Sequence, residues 1–450
     1  MNVAVPNLSS DIDFHSSLAA DSTVAAKYFE TADAALQSLG AAPSRSDAAK
    51  KDAQEIKTRS RTARERFLRR HIGEVYDTVT DHRTKTLRVV DLLYAVADRF
   101  PGLVPTRARI ASERALKQQS AKEGLEIDQG LCVAHILADP ERGLHLIHAM
   151  LKPKREALEK FAAFQQTGAA DLGEARVERK GNVGHVTLSN PAFLNAEGER
   201  TAADLETAVD LALLDDRIEV CVLRGGVVVH PKHAGRRIFN SGINLTQLYY
   251  GQIAYAEFFL ERELGLLHKI YRGHWRSESY REQFEDYAEK PWLAAVETHA
   301  IGGGCQLLCV MDRVVATRGS YFNLPASKEG FIPGAANLRL PRLVGIQLAR
   351  QGIFFERKFM ADTPEGQMIC DETVNYEQMD KAVEANTAQM TRAGFTSAVS
   401  NRKALRVAQE PLSEYRRYMA TYARQQALCV YDPKLIDNLE HSWKPSSRHL

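Results

Sequence analysis

Two patterns of apolar and polar positions divide the chain. From about residue 16 to residue 166, apolar residues recur with helical spacing in Ala-, Leu-, Arg- and Glu-rich segments, and nothing alternates with period two. The stretch from Gln166 to Gly184 is rich in Gly and small polar residues, so we place a boundary near Leu172. From about Asp371 the helical pattern returns.

Between these helical regions, short apolar runs alternate with helical segments. The runs predict strands at "HVTLS" (185–189), "EVCVLRG" (219–225), "WLAAVETHA" (292–300) and "RVVAT" (313–317). Strands alternating with helices predict a mainly parallel α/β arrangement, whose ligand sites lie where strands end and helices begin. We therefore expect an N-terminal helical domain over 1–172, an α/β core over 173–370 and a C-terminal helical region over 371–450.

Composition and charge narrow the function classes only slightly. The chain has 450 residues, 44% of them hydrophobic, and a net charge of +2, which gives no global reason to expect nucleic acid. The basic stretch Lys57 to His71 is interpreted as a solvated helix face. No apolar run is long enough to span a membrane and the six scattered cysteines suit a reduced core, so a cytoplasmic protein is expected.

Three glycines, Gly302 to Gly304, lie where the strand "WLAAVETHA" meets a segment of helical periodicity. Backbone N–H groups at such a turn stabilise anions, although glycine also simply permits close packing of a strand on a helix. Position 307 is Leu and no Gly-Lys-Ser/Thr follows, so both nucleotide-binding motifs fail. A second turn of this kind, "SGIN" (241–244), follows "EVCVLRGG" by one loop. Two such turns at neighbouring strands predict an oxyanion hole, which stabilises charge developing on a carbonyl oxygen.

These segments resemble the crotonase, or enoyl-CoA hydratase, superfamily. The resemblance runs from about Val183 to Val344 and includes "VGHVTLSNPAFLNAE", "SGIN", "IGGGCQLLCVMD" and "FNLPASKEGFIPGAANLRLPRLVG" in that order. It implies a crotonase-like spiral of ββα turns, assembled as a homotrimer or homohexamer. It also implies that the N–H groups of Ile243 and Gly303 bind the thioester oxygen of an acyl-CoA.

Two departures from the hydratase pattern change the expected chemistry. Hydratases of this family carry glutamates where this chain has Gln306 and Ala326. Without those carboxylates, addition of water to a double bond is not expected. An oxyanion hole alone still stabilises an enolate, which forms when a proton α to the thioester is removed.

Within the superfamily, the chain resembles a cofactor-free oxygenase branch of glycopeptide-antibiotic pathways, which acts on hydroxylated aryl-acetyl-CoA thioesters and O2. The long helical extension, the inserted "VVVHPKHAGRRIF" (227–239) and Gln306 carry this likeness. It implies that Glu197 and Arg262 bind the phenol hydroxyls, unless each forms an ordinary surface ion pair. Gln306 would orient substrate or peroxide, unless it only caps a helix. Ile332 and Ala335 suit an apolar O2 pocket or plain core packing, and the expected substrate contacts further include Ser241, Gly242, Asn244 and Gly304.

The inserted loop is basic. It contributes cations that suit the phosphates of CoA, although a solvated loop is an equal alternative; these residues are His230, Lys232, His233, Arg236 and Arg237. No metal-ligand spacing and no flavin or haem signature emerges, so no cofactor is expected. Two other functions stay open: another enolate-forming acyl-CoA isomerase, decarboxylase or synthase, and a catalytically silent acyl-CoA-binding protein.

Overall fold

The computed structural model describes residues 12–276 and 286–443. By their internal contacts, the residues fall into two compact units. The first comprises the described residues within Met1–Ala149, Leu248–Ala256 and Met419–Leu450; the second comprises those within Met150–Gln247 and Glu257–Tyr418. The expected domains 1–172, 173–370 and 371–450 stay a prediction.

Helices fill most of both ends of the described chain. The described residues form seventeen α-helices: α1 (Leu18–Ser38), α2 (Asp47–Val79), α3 (Val89–Arg99), α4 (Arg107–Arg114), α5 (Glu126–Ala138), α6 (Pro140–Met150), α7 (Arg155–Thr167), α8 (Glu199–Leu214), α9 (Leu245–Tyr249), α10 (His268–Arg272), α11 (Gly303–Leu308), α12 (Ala326–Glu329), α13 (Ala336–Phe355), α14 (Met379–Thr391), α15 (Phe395–Gln409), α16 (Leu412–Val430) and α17 (Pro433–Asn438). Two wide π-helical stretches, Tyr255–Leu260 and Arg262–Leu267, precede α10.

The longest helix, α2, contains the basic stretch and corrects its interpretation. Arg64 and His71 are buried together with Phe67 and Leu68, so one side of this stretch belongs to the core of the first unit. The Arg64 guanidinium donates to the carbonyls of Gly102 and Leu103. The basic stretch is therefore a solvated face on one side only.

The described residues form twelve strands: β1 (Ala169–Asp171), β2 (Ala175–Lys180), β3 (Val183–Leu188), β4 (Val220–Gly225), β5 (His274–Trp275), β6 (Tyr287–Ala288), β7 (Trp292–Val296), β8 (His299–Ile301), β9 (Arg313–Thr317), β10 (Tyr321–Asn323), β11 (Phe359–Met360) and β12 (Glu372–Val374). A seven-stranded sheet has the order β1-β2-β3-β4-β7-β9-β12. Its first two pairings are antiparallel, and the remaining four are parallel. A smaller sheet has the order β11-β10-β8, with β8 and β10 parallel.

The predicted strands and the mainly parallel sheet are confirmed. β4 and β7 are buried at nearly every position because the second unit packs against both faces of these central strands. The predicted strand "WLAAVETHA" is two strands, β7 and β8. Thr298 between them adopts a left-handed φ of 73°, and β8 leaves the large sheet for the small one. This change of sheet places the end of β8, and the glycines after it, apart from the end of β7.

Helical regions at both ends of an α/β core are likewise confirmed. All six cysteines are free thiols, and five of them are buried. Across the described ranges, no helix is both long enough and apolar enough to cross a membrane.

Candidate active site

Two backbone turns of the second unit meet at one place, as the sequence predicts. The first turn, Asn240 to Asn244, pairs with two other segments through the bridges Asn240↔Ala300 and Glu197↔Ile243. The second is the Gly302 turn between β8 and α11. A Cβ placed on Gly242 would lie 3.5 Å from the Gly303 nitrogen, and one placed on Gly302 would lie 3.5 Å from the Gly242 Cα. The turns therefore lie close enough that a single added Cβ on either one would be in van der Waals contact with the other.

Backbone donors are available at both turns. In the bridge between Glu197 and Ile243, the bonds run from the Glu197 N–H to the Gly242 carbonyl (2.7 Å) and from the Asn244 N–H to the Glu197 carbonyl (2.8 Å). This pattern directs the Ile243 N–H away from Glu197. Among the described residues, neither the Ile243 N–H nor the Gly303 N–H has an acceptor. Both are free to bind an oxyanion, as an oxyanion hole requires.

The loop before α8 delivers Glu197 to the second turn. Leu194 and Asn195 adopt left-handed φ values of 55° and 57°, and the buried Asn195 amide donates to the carbonyls of Gly226 and Ile238. Glu197 itself has no exposed surface. The Asn240 Nδ2 donates to Glu197 Oε1 at 2.6 Å, and the Asn240 Oδ1 accepts from the Gly242 N–H at 2.6 Å. Asn240 thus ties Glu197 to the first turn.

Arg262 is the centre of the polar cluster. It begins the second π-helical stretch, and its side chain is buried. Its Nε and Nη2 donate to the two oxygens of Glu197 at 2.6 and 2.9 Å. Nη2 also donates to the Gly303 carbonyl at 2.9 Å, and Nη1 donates to Glu263 Oε1 and Gln306 Oε1 at 2.9 and 2.7 Å. The five N–H bonds of the guanidinium thus meet five protein acceptors.

Glycine is required at the second turn because this cluster lies against it. A Cβ on Gly303 would stand 2.6 Å from Glu197 Oε1 and 2.9 Å from Arg262 Nη2. A Cβ on Gly304 would stand 2.8 Å from the Asn240 carbonyl oxygen. The sequence left anion stabilisation and close packing as alternatives for these glycines, and the structure shows close packing at both positions. α11 has only six residues, so the individual N–H groups matter more than any helix dipole.

The surface ion-pair alternative for Glu197 and Arg262 is wrong, because their ion pair is buried. The helix-capping alternative for Gln306 is also wrong, since its side-chain oxygen accepts from Arg262. The substrate-binding and catalytic roles of these residues stay predictions.

The other predicted substrate contacts have structural partners of their own. The Ser241 Oγ donates to the Leu194 carbonyl at 2.7 Å, and the Asn244 Oδ1 accepts from the N–H groups of Thr246 and Gln247, both at 3.1 Å. Ile332 is half-buried, and the buried Ala335 donates its N–H to Glu263 Oε2 at 3.0 Å.

The inserted basic loop folds back on itself just before the first turn. Val227 and Arg237 form an antiparallel bridge, and the Arg237 Nη1 donates to the Gly225 carbonyl at 3.2 Å. Lys232 and Arg236 are exposed, whereas His230, His233 and Arg237 are half-buried. The His233 ring lies 6.2 Å from the ring of His299. The loop therefore brings His233 beside β8.

Three polar residues of the site were missed by the sequence reasoning. Asn240 and Glu263 are direct neighbours of predicted residues in "NSGIN" and "ERE", and adjacency was the only available signal. His299 ends the predicted strand and hydrogen-bonds Ser241 Oγ at 2.8 Å. Burial lowers the pKa of His299 to about 4, with His233, Lys232 and Lys358 acting in the same direction. His299 is therefore neutral at pH 7 and donates its Nε2 proton to Ser241, whose own proton goes to Leu194.

No group of three or more His, Cys, Asp or Glu side chains in the described parts of the chain is arranged to hold a metal ion. Burial raises the pKa of the Cys305 thiol, and it raises that of Cys309 to about 12. These two cysteines are therefore neutral packing groups.

Comparison with known proteins shows which family this chain resembles. Residues 178–427 match the family model described as enoyl-CoA hydratase/isomerase. The chain is 45% identical over 416 residues to a (3,5-dihydroxyphenyl)acetyl-CoA 1,2-dioxygenase of Amycolatopsis orientalis, covering 92% of this chain and 94% of that one. It is 28% identical over 194 residues to a short-chain-enoyl-CoA hydratase of Clostridium acetobutylicum, covering 43% of this chain and 65% of the relative.

A solved structure is similar in fold. The crystal structure of an enoyl-CoA hydratase from Mycobacterium avium subsp. paratuberculosis K-10 superposes with a TM-score of 0.50 at 18% identity. The match covers 61% of this chain and 97% of that protein, so most of the remainder of this chain is additional to the shared fold. The chain belongs to the enoyl-CoA hydratase/isomerase family.

Proposed function

We propose that this protein is a dioxygenase that converts 3,5-dihydroxyphenylacetyl-CoA and O2 into 3,5-dihydroxyphenylglyoxylate and CoA without a metal or organic cofactor. The observation that carries the proposal is the 45% identity to the Amycolatopsis dioxygenase over 92% of the chain, including the helical extension. The absence of carboxylates at Gln306 and Ala326 agrees with it.

The reaction begins with loss of an α-proton from the thioester. The electron pair of the C–H bond passes into the carbonyl, and the N–H groups of Ile243 and Gly303 stabilise the enolate oxygen. The enolate transfers an electron to O2, and recombination forms a peroxide at Cα. The peroxide attacks the thioester carbonyl and CoA leaves as the thiolate. Cleavage of the O–O bond with loss of the second α-hydrogen gives the glyoxylate, which retains both atoms of O2.

The buried polar cluster supplies the recognition of the aryl ring in this proposal. Glu197 and Arg262 are the groups assigned to the phenol hydroxyls. Because every N–H of Arg262 already has an acceptor, a hydroxyl that accepts from it must replace one of those acceptors. Gln306 Oε1 is the neutral side-chain acceptor among them, and Gln306 is half-buried. Gln306 is therefore the group that moves when the ring binds, which leaves its amide to orient substrate or peroxide.

The remaining assignments follow the family resemblance. The exposed cations Lys232 and Arg236, with His230, His233 and Arg237, are assigned to the phosphates of CoA. Ser241, Gly242, Asn244, Gly304 and Ile332 line the acyl end of the substrate. The reaction belongs to antibiotic biosynthesis in the cytoplasm, and the protein acts as a homotrimer or homohexamer.

The deciding experiment is oxygen uptake by chelator-treated protein mixed with 3,5-dihydroxyphenylacetyl-CoA, with free CoA thiol measured in the same sample. Equal consumption of O2 and release of CoA is the expected result. Exchange of the α-hydrogens in D2O without O2 uptake would refute the oxygenase and leave an enolate-forming enzyme. No exchange and no uptake, with the thioester still bound, would identify a silent acyl-CoA-binding protein.

A further inference from the structure

One carboxylate near the two turns has no part in the cluster around Arg262. It belongs to Glu329, the last residue of α12. β8 and β10 are parallel neighbours with Ile301 paired to Asn323, and the Gly302 N–H donates to the Asn323 carbonyl at 2.8 Å. The chain that leaves β10 enters α12 after two residues. The sheet register therefore brings α12 back beside the Gly302 turn.

The carboxylate faces that turn. Glu329 Oε2 lies 4.0 Å from the point where a Gly302 Cβ would stand, and the Gly242 Cα lies 3.5 Å from the same point. Both turns and the carboxylate thus border one small space, which only glycine at position 302 leaves open. An acyl group whose oxygen is bound by the N–H groups of Ile243 and Gly303 would extend from this space.

The other nearby carboxylates are occupied. Glu197 accepts from Arg262 and Asn240, and Glu263 accepts from Arg262 and the Ala335 N–H. Hydrogen bonds to a carboxylate stabilise its charged form and weaken it as a base. In the parts of the chain that the structure describes, the Glu329 carboxylate accepts no hydrogen bond from a side chain or a backbone N–H.

The surroundings of Glu329 strengthen it as a base. Burial raises the pKa of the half-buried Glu329 to about 8; Lys328 on its own helix opposes this rise, and Glu356 after α13 adds to it. A carboxyl group whose pKa lies near the working pH transfers protons to and from carbon more effectively than one with an ordinary pKa near 4.

We propose that the Glu329 carboxylate is the base that removes the α-proton of the bound thioester, an assignment that rests on the proposed function. The C–H electron pair passes to the enolate, and the proton passes to Glu329. Glu329 returns this proton to the departing CoA thiolate. It then accepts the second α-proton when the O–O bond breaks, and releases that proton to water. One CoA thiol, one glyoxylate anion and one proton result from each thioester and O2.

The test separates proton removal from the reaction with oxygen. Under nitrogen, exchange of the α-hydrogens of 3,5-dihydroxyphenylacetyl-CoA in D2O is followed by NMR for the wild-type protein, Glu329→Gln and Glu329→Asp. The Gln variant should lose roughly 100-fold or more of the exchange rate, the contribution typical of a general base, and the Asp variant should recover part of it. The thioester Kd, measured by calorimetry under nitrogen, should stay within about threefold in all three. Glu384→Gln, at an exposed position on α14, is the matched control and should exchange like the wild type.

The pH profile gives an independent readout. The carboxylate is the active form, so wild-type exchange should fall as the pH falls through an inflection at or below pH 8, and Glu329→Gln should lack that inflection. Wild-type exchange combined with equal exchange in Glu329→Gln would overturn the assignment and leave the proposed function intact. Neither exchange nor O2 uptake in the wild-type protein would overturn both.

Discussion

Gly303→Ala tests whether the close approach of Glu197 to the second turn holds the reacting groups in position. The added Cβ would stand 2.6 Å from Glu197 Oε1, whereas ordinary contacts begin at 3.4 Å, so the carboxylate must retreat by about 0.8 Å. Gly303 has no left-handed φ, and Ala keeps the N–H, so the change adds volume without removing the donor. A misplacement of about 1 Å costs about 100-fold in rate. We expect kcat to fall by about that factor, or about 2.7 kcal/mol.

The assay is steady-state CoA release with O2 uptake in parallel, at a temperature below the Tm of every variant. Gly73→Ala is the control, because Gly73 lies inside α2 and a Cβ there meets Arg142 at an ordinary 3.4 Å. Its kcat should match that of the wild-type protein. If Gly303→Ala were folded and as fast as the wild type, the contact between Glu197 and the second turn would have no bearing on catalysis.

Three further predictions concern the groups around this turn. Arg262→Lys leaves three N–H donors for the five acceptors that the guanidinium serves. We expect kcat/KM to fall more for the dihydroxylated thioester than for phenylacetyl-CoA. Equal losses on both substrates would argue against a phenol contact. Asn240→Asp replaces the amide that donates to Glu197 Oε1 at 2.6 Å with a second carboxylate. We expect kcat to fall by about 10- to 100-fold, because leaving a buried group unpaired costs about 1–3 kcal/mol. An unchanged kcat would contradict the positioning role of Asn240. The pKa of His299 is about 4 in the folded protein, below the ordinary value of 6.5. Between these two pH values the His299 side chain is protonated in the unfolded chain but not in the folded one. The free energy of unfolding should therefore fall as the pH drops from about 6.5 to 4, by up to about 3 kcal/mol. In urea titrations His299→Gln should lose less stability over this range than the wild type, and an identical decline in both would show that His299 does not cause it.

The sequence predicted the strands and the two turns because their signals are local. Short apolar runs with a glycine at the end or within two residues after it mark β4 and β9, and the glycines mark the turns themselves. The split of "WLAAVETHA" was missed because Thr298 carries no signal for a left-handed conformation. Likewise, nothing in "RELGLL" distinguishes a π-helix from an α-helix. The structure has a π-helical stretch there, and Arg262 is its first residue.

The contacts within the polar cluster, unlike the strands and turns, could not be predicted from local sequence signals. Glu197 and Arg262 lie 65 residues apart in sequence, and only the resemblance to a family connected them. The connections of Asn240 and Glu263 to this pair depend on the packing of separate segments. Glu329 was not predicted because the hydratase pattern marks position 326 of the same motif, three residues before it. The register between β8 and β10, which brings α12 to the turn, is not encoded in either segment alone.

Because every N–H of Arg262 has an acceptor, the segments that it joins should open together in the native protein. One guanidinium joins the loop at Glu197, the π-helical stretch and the segment that starts α11, through five hydrogen bonds inside the second unit. None of these segments can open without leaving buried donors or carboxylates unpaired. Their amide hydrogens should therefore exchange with solvent in one cooperative event, as a single subglobal folding unit centred on one side chain.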